Sequence, residues 1–386
     1  MRILICSLSK EYLEKFTKSN ERTVNFVKIL SSNHELIYLK PVSCYEQRVE
    51  GWRAWLASIK LPFEIFHNLI FALRGRREFD IIFSFKSLYG AFAGIVGKIT
   101  SKATIWDLHS GIIYYNMPSG SLKFSRGRTL GLLDAFFIQM MQKVALKLND
   151  RILVDAEVDR EALLKKGISQ NKVIYFPICE DLELIKVSNE EKECLKRKLG
   201  LTDRDRILVF IGSRFFWSNK KAAFWINDYL APLLVQKFKN VRVLIGSDGP
   251  LPTSIHPIVL FTGFVPNIYA LIQISDIALA PVWEGTGMTS KVLDFMACGK
   301  PTVVTPWAAH GIPQLRDGVN VMIAQNEQEF VEKTVYLLKH PDEACQIGER
   351  AKEMVERYYS WNIWKEKLNK ILEDAIYEKA QRRYKT

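Results

Sequence analysis

Pro281-Val-Trp-Glu-Gly-Thr-Gly-Met-Thr-Ser-Lys-Val-Leu-Asp-Phe-Met-Ala-Cys-Gly-Lys-Pro301-Thr-Val-Val-Thr305 is the stretch whose reading decides the fold. It runs from a strand end through a glycine loop, a helix and a helix stop into a new strand, the crossover of a parallel sheet. Gly285 and Gly287 permit close backbone approach and unusual φ. The helix is expected to start near Met288, with free amides and a positive dipole end that would face an anion such as a diphosphate. Lys291 adds a point charge one turn in. Asp294 lies a further turn along on the same face, where a carboxylate accepts hydrogen bonds from ribose hydroxyls. Gly299 ends the helix, and Lys300-Pro301 prevents its continuation. Gly-x-Gly alone would fit any tight turn before a helix. The full order Gly-x-Gly-x3-Lys-x2-Asp-x-Met-Ala-x-Gly-x-Pro is far more specific.

Outward from this stretch, short apolar runs alternate with helical patterns. Toward the N-terminus the strand candidates are Ile3–Cys6, Glu35–Leu39, Ile81–Phe85, Ala103–Asp107 and Arg151–Val154, with amphipathic segments such as Thr23–Leu30 and Leu88–Ile99 between them. A polar stretch, Leu182–Arg206, follows. The pattern then restarts with Ile207–Ile211, Val241–Ile245, Ile258–Phe261, Ile277–Ala280 and Thr302–Thr305. Trp361 to about Ala380 reads as a long amphipathic helix. The fold expected is α/β, with two Rossmann-like domains: residues 1–182 and 183–360, the C-terminal segment 361–386 packing back on the first. Two such domains present strand ends to a cleft, where open α/β sheets bind ligands.

Composition fits this reading. The chain has 386 residues, 48% of them hydrophobic and 25% charged, enough for two cores. The net charge of +12 is uneven: residues 1–180 hold 26 Lys and Arg against 17 Asp and Glu, and the remainder 28 against 25. A basic first half fits a solvated surface, or an anionic partner such as a phosphorylated substrate or a membrane face. The six cysteines are scattered without a C-x-x-C pair, which argues against a zinc site and places the chain in a reducing cytosol. No apolar run reaches the length of a membrane span or a signal peptide core.

At Gly285–Pro301 the chain resembles glycosyltransferase family 4, the group 1 transferases of the GT-B fold, and within it the subgroup reading Gly-Ser-Gly-Thr-x-x-Lys-x-Leu-Glu-Ala-Met-Ala-x-Gly-x-Pro. Ile211-Gly-Ser-Arg-Phe-Phe-Trp-Ser-Asn219 resembles the family's donor-phosphate loop. Ile245-Gly-Ser-Asp-Gly-Pro250, Asp276-Ile-Ala-Leu-Ala-Pro281 and Ala309-His-Gly-Ile-Pro313 match as well, and Phe261-Thr-Gly-Phe-Val-Pro266 is similar to the loop that meets the base. Asp294 stands where the family usually has Glu. The usual glutamates seven residues apart are absent, with Thr286 eight before Asp294 and nine residues between Glu284 and Asp294. The resemblance implies retaining transfer of a hexose-type sugar from a UDP- or GDP-sugar to a glycan or lipid-linked acceptor, as in polysaccharide synthesis, without metal or cofactor. It implies a donor site of Arg214, Lys220, Val265, Glu284, Gly285, Thr286, Gly287, Met288, Thr289, Lys291 and Asp294. Arg214 suits a diphosphate physically, as a fork for two oxygens. Lys220 and Lys221 read equally well as a solvated helix start.

In the first half, Trp106-Asp-Leu-His-Ser-Gly111 sits at a strand end, and His109 is the catalytic candidate, near the reacting sugar in the family. Asp107 is expected to be a cap or turn residue rather than its orienting partner. The resemblance puts an acceptor-contacting helix after the loop Ser7–Asn20, which lacks the family's two glycines and has Lys18-Ser-Asn-Glu-Arg22 instead; Asn20 and Arg22 are the acceptor candidates, with helix capping at Ser19 or Asn20 as the plainer use. Aromatic and basic residues interleave from Trp52 through Arg77, and from Lys123 to Arg128 followed by Leu130–Leu148. Both stretches suit an anionic membrane interface as well as they suit core helices with charged ends. Asp203-Arg-Asp205 is formally Asp-x-Asp, but its place before a strand makes it a turn. His67, His256, His310 and His340 have no ligand spacing.

A dehydrogenase would carry Gly-x-Gly-x-x-Gly directly after its first strand, and neither half does. Charge alone points to nucleic acid, without a recognition motif. The alternatives that keep this fold are a non-catalytic nucleotide-sugar-binding protein and a UDP-sugar epimerase.

Overall fold

The computed structural model describes residues 1–6, 22–39, 65, 67–108, 128–246, 248–284 and 288–384. The chain divides into two compact units, Met1–Pro177 with Trp364–Thr386, and Ile178–Ile363.

The first unit is a six-stranded sheet of β1 (Arg2–Cys6), β2 (Glu35–Tyr38), β3 (Ile81–Phe85), β4 (Ala103–Leu108), β5 (Arg151–Val154) and β6 (Val173–Tyr175). The order is β2-β1-β3-β4-β5-β6, and every pairing is parallel, with Ile3 opposite both Leu36 and Ile81. All residues of β3, β4 and β5 are buried, as expected of a parallel sheet covered on both faces. The helices include α1 (Arg22–Asn33), α2 (Ser87–Thr100), α3 (Arg128–Leu148) and α4 (Glu157–Lys165). Helices α2 and α3 pack on each other. They come so close that a Cβ on Gly94 would lie 2.6 Å from the Leu148 Cβ.

The second unit repeats the plan with β7 (Arg206–Ile211), β8 (Val241–Gly246), β9 (Val259–Gly263), β10 (Ile277–Ala280), β11 (Thr302–Val304) and β12 (Met322–Ile323), ordered β12-β11-β10-β7-β8-β9 and again parallel. Its helices are α5 (Asn189–Lys198), α6 (Trp217–Trp225), a π-helical turn (Ile226–Leu230), α7 (Ala231–Val235), α8 (Ile268–Gln273), α9 (Ser290–Ala297), α10 (Pro306–Ala309), α11 (Glu327–Lys339) and α12 (Pro341–Tyr358). One large apolar cluster runs through the unit, from Ile178 to Tyr359.

The last helix, α13 (Trp361–Tyr384), belongs to the first unit from Trp364 onward. The Trp364 ring meets Phe176 edge-on at 5.0 Å, the Lys379 ammonium lies 3.0 Å from Asp150 Oδ2, and Arg151 pairs with Glu378.

Three expectations need correction. The polar stretch 182–206 contains helix α5, capped by Ser188 Oγ, which accepts from the Glu191 amide at 3.1 Å; none of its residues is buried, so it carries no apolar stripe to read. Strands β6 and β12 were not anticipated: they are outer strands of three and two residues, too short for periodicity. Asp107 is neither cap nor turn but a buried residue of β4. Asp203-Arg-Asp205 is a turn, as expected, with Asp205 Oδ2 accepting from both the amide and the hydroxyl of Thr202.

Candidate functional site

In the second unit, β7 and β10 lie side by side at the middle of the sheet. From β7 the chain moves one way to β8 and β9. From β10 it moves the other way to β11 and β12. This is a topological switch point, and in such sheets ligands bind in the crevice outside the carboxyl ends of the two strands. The loops that follow these strands are Gly212–Phe216 and 281–289, the very segments that the sequence singles out.

A hydrogen-bonded relay ties them together. Asn219, early in α6, donates from Nδ2 to the Ser213 carbonyl at 3.2 Å and accepts at Oδ1 from the Lys291 ammonium at 3.0 Å. Gly212 has φ of +147°, and a Cβ there would sit 2.8 Å from the Asn219 carboxamide, so glycine is the residue that fits. Ser213 Oγ donates to Asp248 Oδ1 at 3.2 Å, which anchors the loop to the end of β8.

Helix α9 begins after Thr289, whose side chain makes no capping bond. It ends in a Schellman motif: the Gly299 amide bonds Met296 O at 2.8 Å, the Lys300 amide bonds Phe295 O at 3.1 Å, and Gly299 has φ of +69°. Lys291, second in the helix, lies 5.7 Å from the Phe210 ring centroid. Burial pulls its pKa down to about 8, against the opposing charge of Asp294. Asp294 Oδ1 accepts from the Tyr269 hydroxyl at 3.2 Å. Burial, and next the Asp294 charge, push that phenol's pKa up. A cation and a carboxylate one turn apart on one helix thus stand beside the switch point, each steered by a neutral side chain from another element.

The solved structure of Anabaena HepE with UDP and glucose superposes on 97% of this chain and 100% of its own, with a TM-score of 0.68 at 15% identity. The fold is GT-B. Within it, residues 205–340 match the family model of glycosyl transferases group 1, which covers the second unit from β7 through α11. Two curated relatives are similar over part of their length. The putative glycosyltransferase EpsD of Bacillus subtilis is 27% identical over 184 residues, 45% of this chain and 46% of the relative. The uncharacterized glycosyltransferase MJ1069 of Methanocaldococcus jannaschii is 23% identical over 258 residues, 63% of each. The chain therefore spans less than two thirds of either curated relative.

In the second unit of this GT-B fold the other donor candidates fall as follows. Arg214 is 3% exposed. Its Nε donates to Pro250 O at 3.0 Å and its Nη2 to Gly249 O at 3.1 Å, with the guanidinium 4.9 Å from the Phe261 ring centroid. Burial lowers its pKa, with Asp248 opposing. It braces the loop after β8 against the loop after β7. Lys220 is exposed, over Phe224. Glu284 is exposed and paired with Lys221. Met288 is buried against Gly311, Thr289 is half-buried, and Val265 packs on the unit's core. Gly285, Thr286, Gly287, His109 and Asn20 lie outside the described residues.

Arg22, in the first unit, faces inward. Its guanidinium is bidentate to Asp107, with Nη2 at 2.7 Å and Nε at 3.0 Å from Oδ1. Nη1 donates to Pro177 O at 2.6 Å, and the group lies 4.9 Å from the Phe26 ring centroid. Sequence reasoning missed Asn219 and Tyr269 as parts of the site. They meet partners 72 and 25 positions away, and nothing local announces either contact.

Proposed function

We propose that the protein is a glycosyltransferase that moves a hexose-type sugar from a UDP- or GDP-sugar to a glycan or lipid-linked acceptor in glycoconjugate or polysaccharide synthesis. The observation that carries this reading is the switch point of the second unit. Helix α9 starts there without a side-chain cap, its Lys291 is bonded to the Asn219 that holds the Gly212 loop, Asp294 follows one turn on, and these residues fall inside the group 1 match. The complexes of HepE with UDP and with UDP-glucose supply the donor class by analogy of fold.

In the proposed arrangement the diphosphate sits at the start of α9, over the first-turn amides and the Lys291 ammonium. Asp294 accepts from the ribose hydroxyls. Arg214 holds the two phosphate-side loops at the right separation, and Val265 lies toward the base. When the bond from the anomeric carbon to the β-phosphate oxygen breaks, the electron pair leaves with the nucleoside diphosphate. The acceptor hydroxyl oxygen bonds to the anomeric carbon on the same face and passes its proton to the departing β-phosphate oxygen. His109 is the first-unit candidate for positioning charge at that carbon, and Asn20 is the acceptor candidate that remains, Arg22 being engaged with Asp107. The positive charge that stabilises the leaving group comes from Lys291 and helix amides, so transfer is expected to persist in EDTA.

Thermal shift with UDP-, GDP- and other nucleotide sugars tests the donor, because a ligand at a hundred times its Kd adds about 2.7 kcal/mol of stability. Transfer of radiolabelled sugar to a glycan or polyprenyl-phosphate acceptor tests the reaction. Absence of any nucleotide-induced shift would defeat the reading. A shift without transfer would leave a binding protein, and interconversion of donor sugars without acceptor would make it an epimerase.

A further inference from the structure

Helices α2 and α3 belong to successive crossovers, β3 to β4 and β4 to β5, that advance in one direction along the sheet, so both lie on the same face of it. Each buries one side and leaves one stripe in water. On α2, Leu88, Ala91, Phe92 and Val96 are buried, whereas Ile95 (42% exposed), Lys98 and Ile99 (57% exposed) are not. Among the α3 positions whose side chains are described, those exposed are Phe136 (66%), Met140 (42%), Lys143 and Lys147. The spacings 95, 98, 99 and 136, 140, 143, 147 each trace a single helix face. Neither stripe contains an acid. Helix α2 has none in its sequence, and α3 has only Asp134, off the stripe's register.

The lysines cluster at the C-terminal ends of both helices, among more cations. The Lys172 ammonium donates to the Leu146 and Lys147 carbonyls at 3.0 and 2.8 Å. Its pKa is lowered, first by burial; Asp150 opposes, and Arg382, Lys379 and Lys98 add to the lowering, with Lys379 and Arg382 themselves paired to Asp150. Among the described residues no helix is long and apolar enough to cross a membrane.

We propose that this α2–α3 face docks on an anionic lipid surface, with Ile95, Ile99, Phe136 and Met140 entering the headgroup boundary and the lysines meeting lipid phosphates. Mixed apolar and cationic chemistry on one surface has that partner as its complement. A second copy of the same face would set lysine against lysine. A solvated nucleic-acid backbone would give the aliphatic side chains nothing to bury in. The inference is independent of the donor reading, because neither stripe includes a residue assigned there.

The full-length protein is to be sedimented with vesicles of phosphatidylcholine and phosphatidylglycerol in equal parts, and with pure phosphatidylcholine. Binding is expected to the mixed vesicles only and to weaken with salt. Lys98→Glu with Lys147→Glu should lower partitioning by about tenfold or more, given about 1 kcal/mol per basic residue at such a surface. Ile99→Ser with Phe136→Ser should lower it as well, with charge unchanged. All four side chains are exposed, so circular dichroism and the thermal midpoint should stay at wild-type values. The proposal is overturned if wild type does not pellet with the mixed vesicles, if both double variants pellet like wild type, or if the apolar pair instead abolishes a dimer seen by light scattering.

Discussion

Two cations, Arg22 buried in the first unit and Lys291 half-buried in the second, are held in different ways. Arg22 meets a carboxylate: Asp107 takes two of its N–H groups, and both side chains are almost inaccessible. Lys291 meets an amide: its ammonium donates to Asn219, while Asp294 on the next turn accepts from Tyr269. The first arrangement satisfies charge with charge. The second orients a cation with a neutral acceptor, at the switch point between β7 and β10. A buried cation with a carboxylate partner belongs to the architecture, whereas one steered by an amide at a switch point is set to receive an anion.

The largest effect expected comes from breaking the first pair. Asp107→Ala leaves a buried guanidinium without its counter-charge and should destabilise the protein by about 3–5 kcal/mol in denaturant titration. Nucleotide affinity of the folded fraction should hold. The double replacement Arg22→Met with Asp107→Leu should recover most of the loss, since apolar substitutes for a buried pair are often neutral. If Asp107→Ala proves mild, the Arg22 charge is not confined as described and the contrast between the two cations fails.

Lys291→Met should do the opposite. Loss of a charge-assisted hydrogen bond, about 1.5–3 kcal/mol, predicts a tenfold to hundredfold weaker nucleoside diphosphate, measured by calorimetry. Stability should not fall with it. The folded-state pKa of Lys291 is depressed, so between about 8 and its ordinary 10.5 the unfolded chain binds more protons and stability climbs with pH. Below about 8 the folded protein carries the full cost of a desolvated ammonium, which the methionine variant avoids. Its thermal midpoint at neutral pH should equal or exceed wild type. A variant that loses both affinity and stability would make Lys291 an architectural residue like Arg22.

A subtler test is pH. The groups facing the Lys291 ammonium are Asn219 from α6, Phe210 from β7 and Asp294 on its own helix. Nucleotide affinity should be flat below about pH 8 and decline above it as the ammonium loses its proton. Asn219→Asp places a carboxylate against the ammonium, raises its pKa and moves that decline to higher pH, while weakening anion binding near neutrality. An unmoved limb would mean that Asn219 braces the Gly212 loop without steering Lys291.

The sequence disclosed the parts of this contrast that are local. Strand–loop–helix order and the Gly299 stop are written in consecutive residues, and the described residues on either side of 285–287 have them within a residue or two. Pairings across the fold are not local. Asp107 looks like a turn residue until Arg22, 85 positions earlier, is brought to it, and Asn219 looks like part of a polar helix start until Lys291 arrives from 72 positions away. Arg214 has the composition of a phosphate ligand, yet carbonyls 35 and 36 positions on claim two of its donors. Residue type gave the chemistry available at each position; topology decided who met whom.

Tyr269 offers the smallest and most discriminating test. Its hydroxyl donates to Asp294 Oδ1 at 3.2 Å, so Tyr269→Phe removes that hydrogen bond from the carboxylate without changing any charge. A net hydrogen bond of about 0.5–1.5 kcal/mol predicts a twofold to tenfold loss of UDP or GDP affinity. If Asp294 receives the ribose, inorganic pyrophosphate, which has no ribose, should bind the variant as it binds wild type. If instead Asp294 acts by balancing the Lys291 charge, pyrophosphate affinity should change along with that of the nucleotide, because a carboxylate free to approach the ammonium screens the anion site for both ligands. The ratio of the two losses therefore separates a sugar-binding carboxylate from a charge-tuning one, and with it decides whether Lys291 stands in the crevice as an unscreened cation or as half of an ion pair.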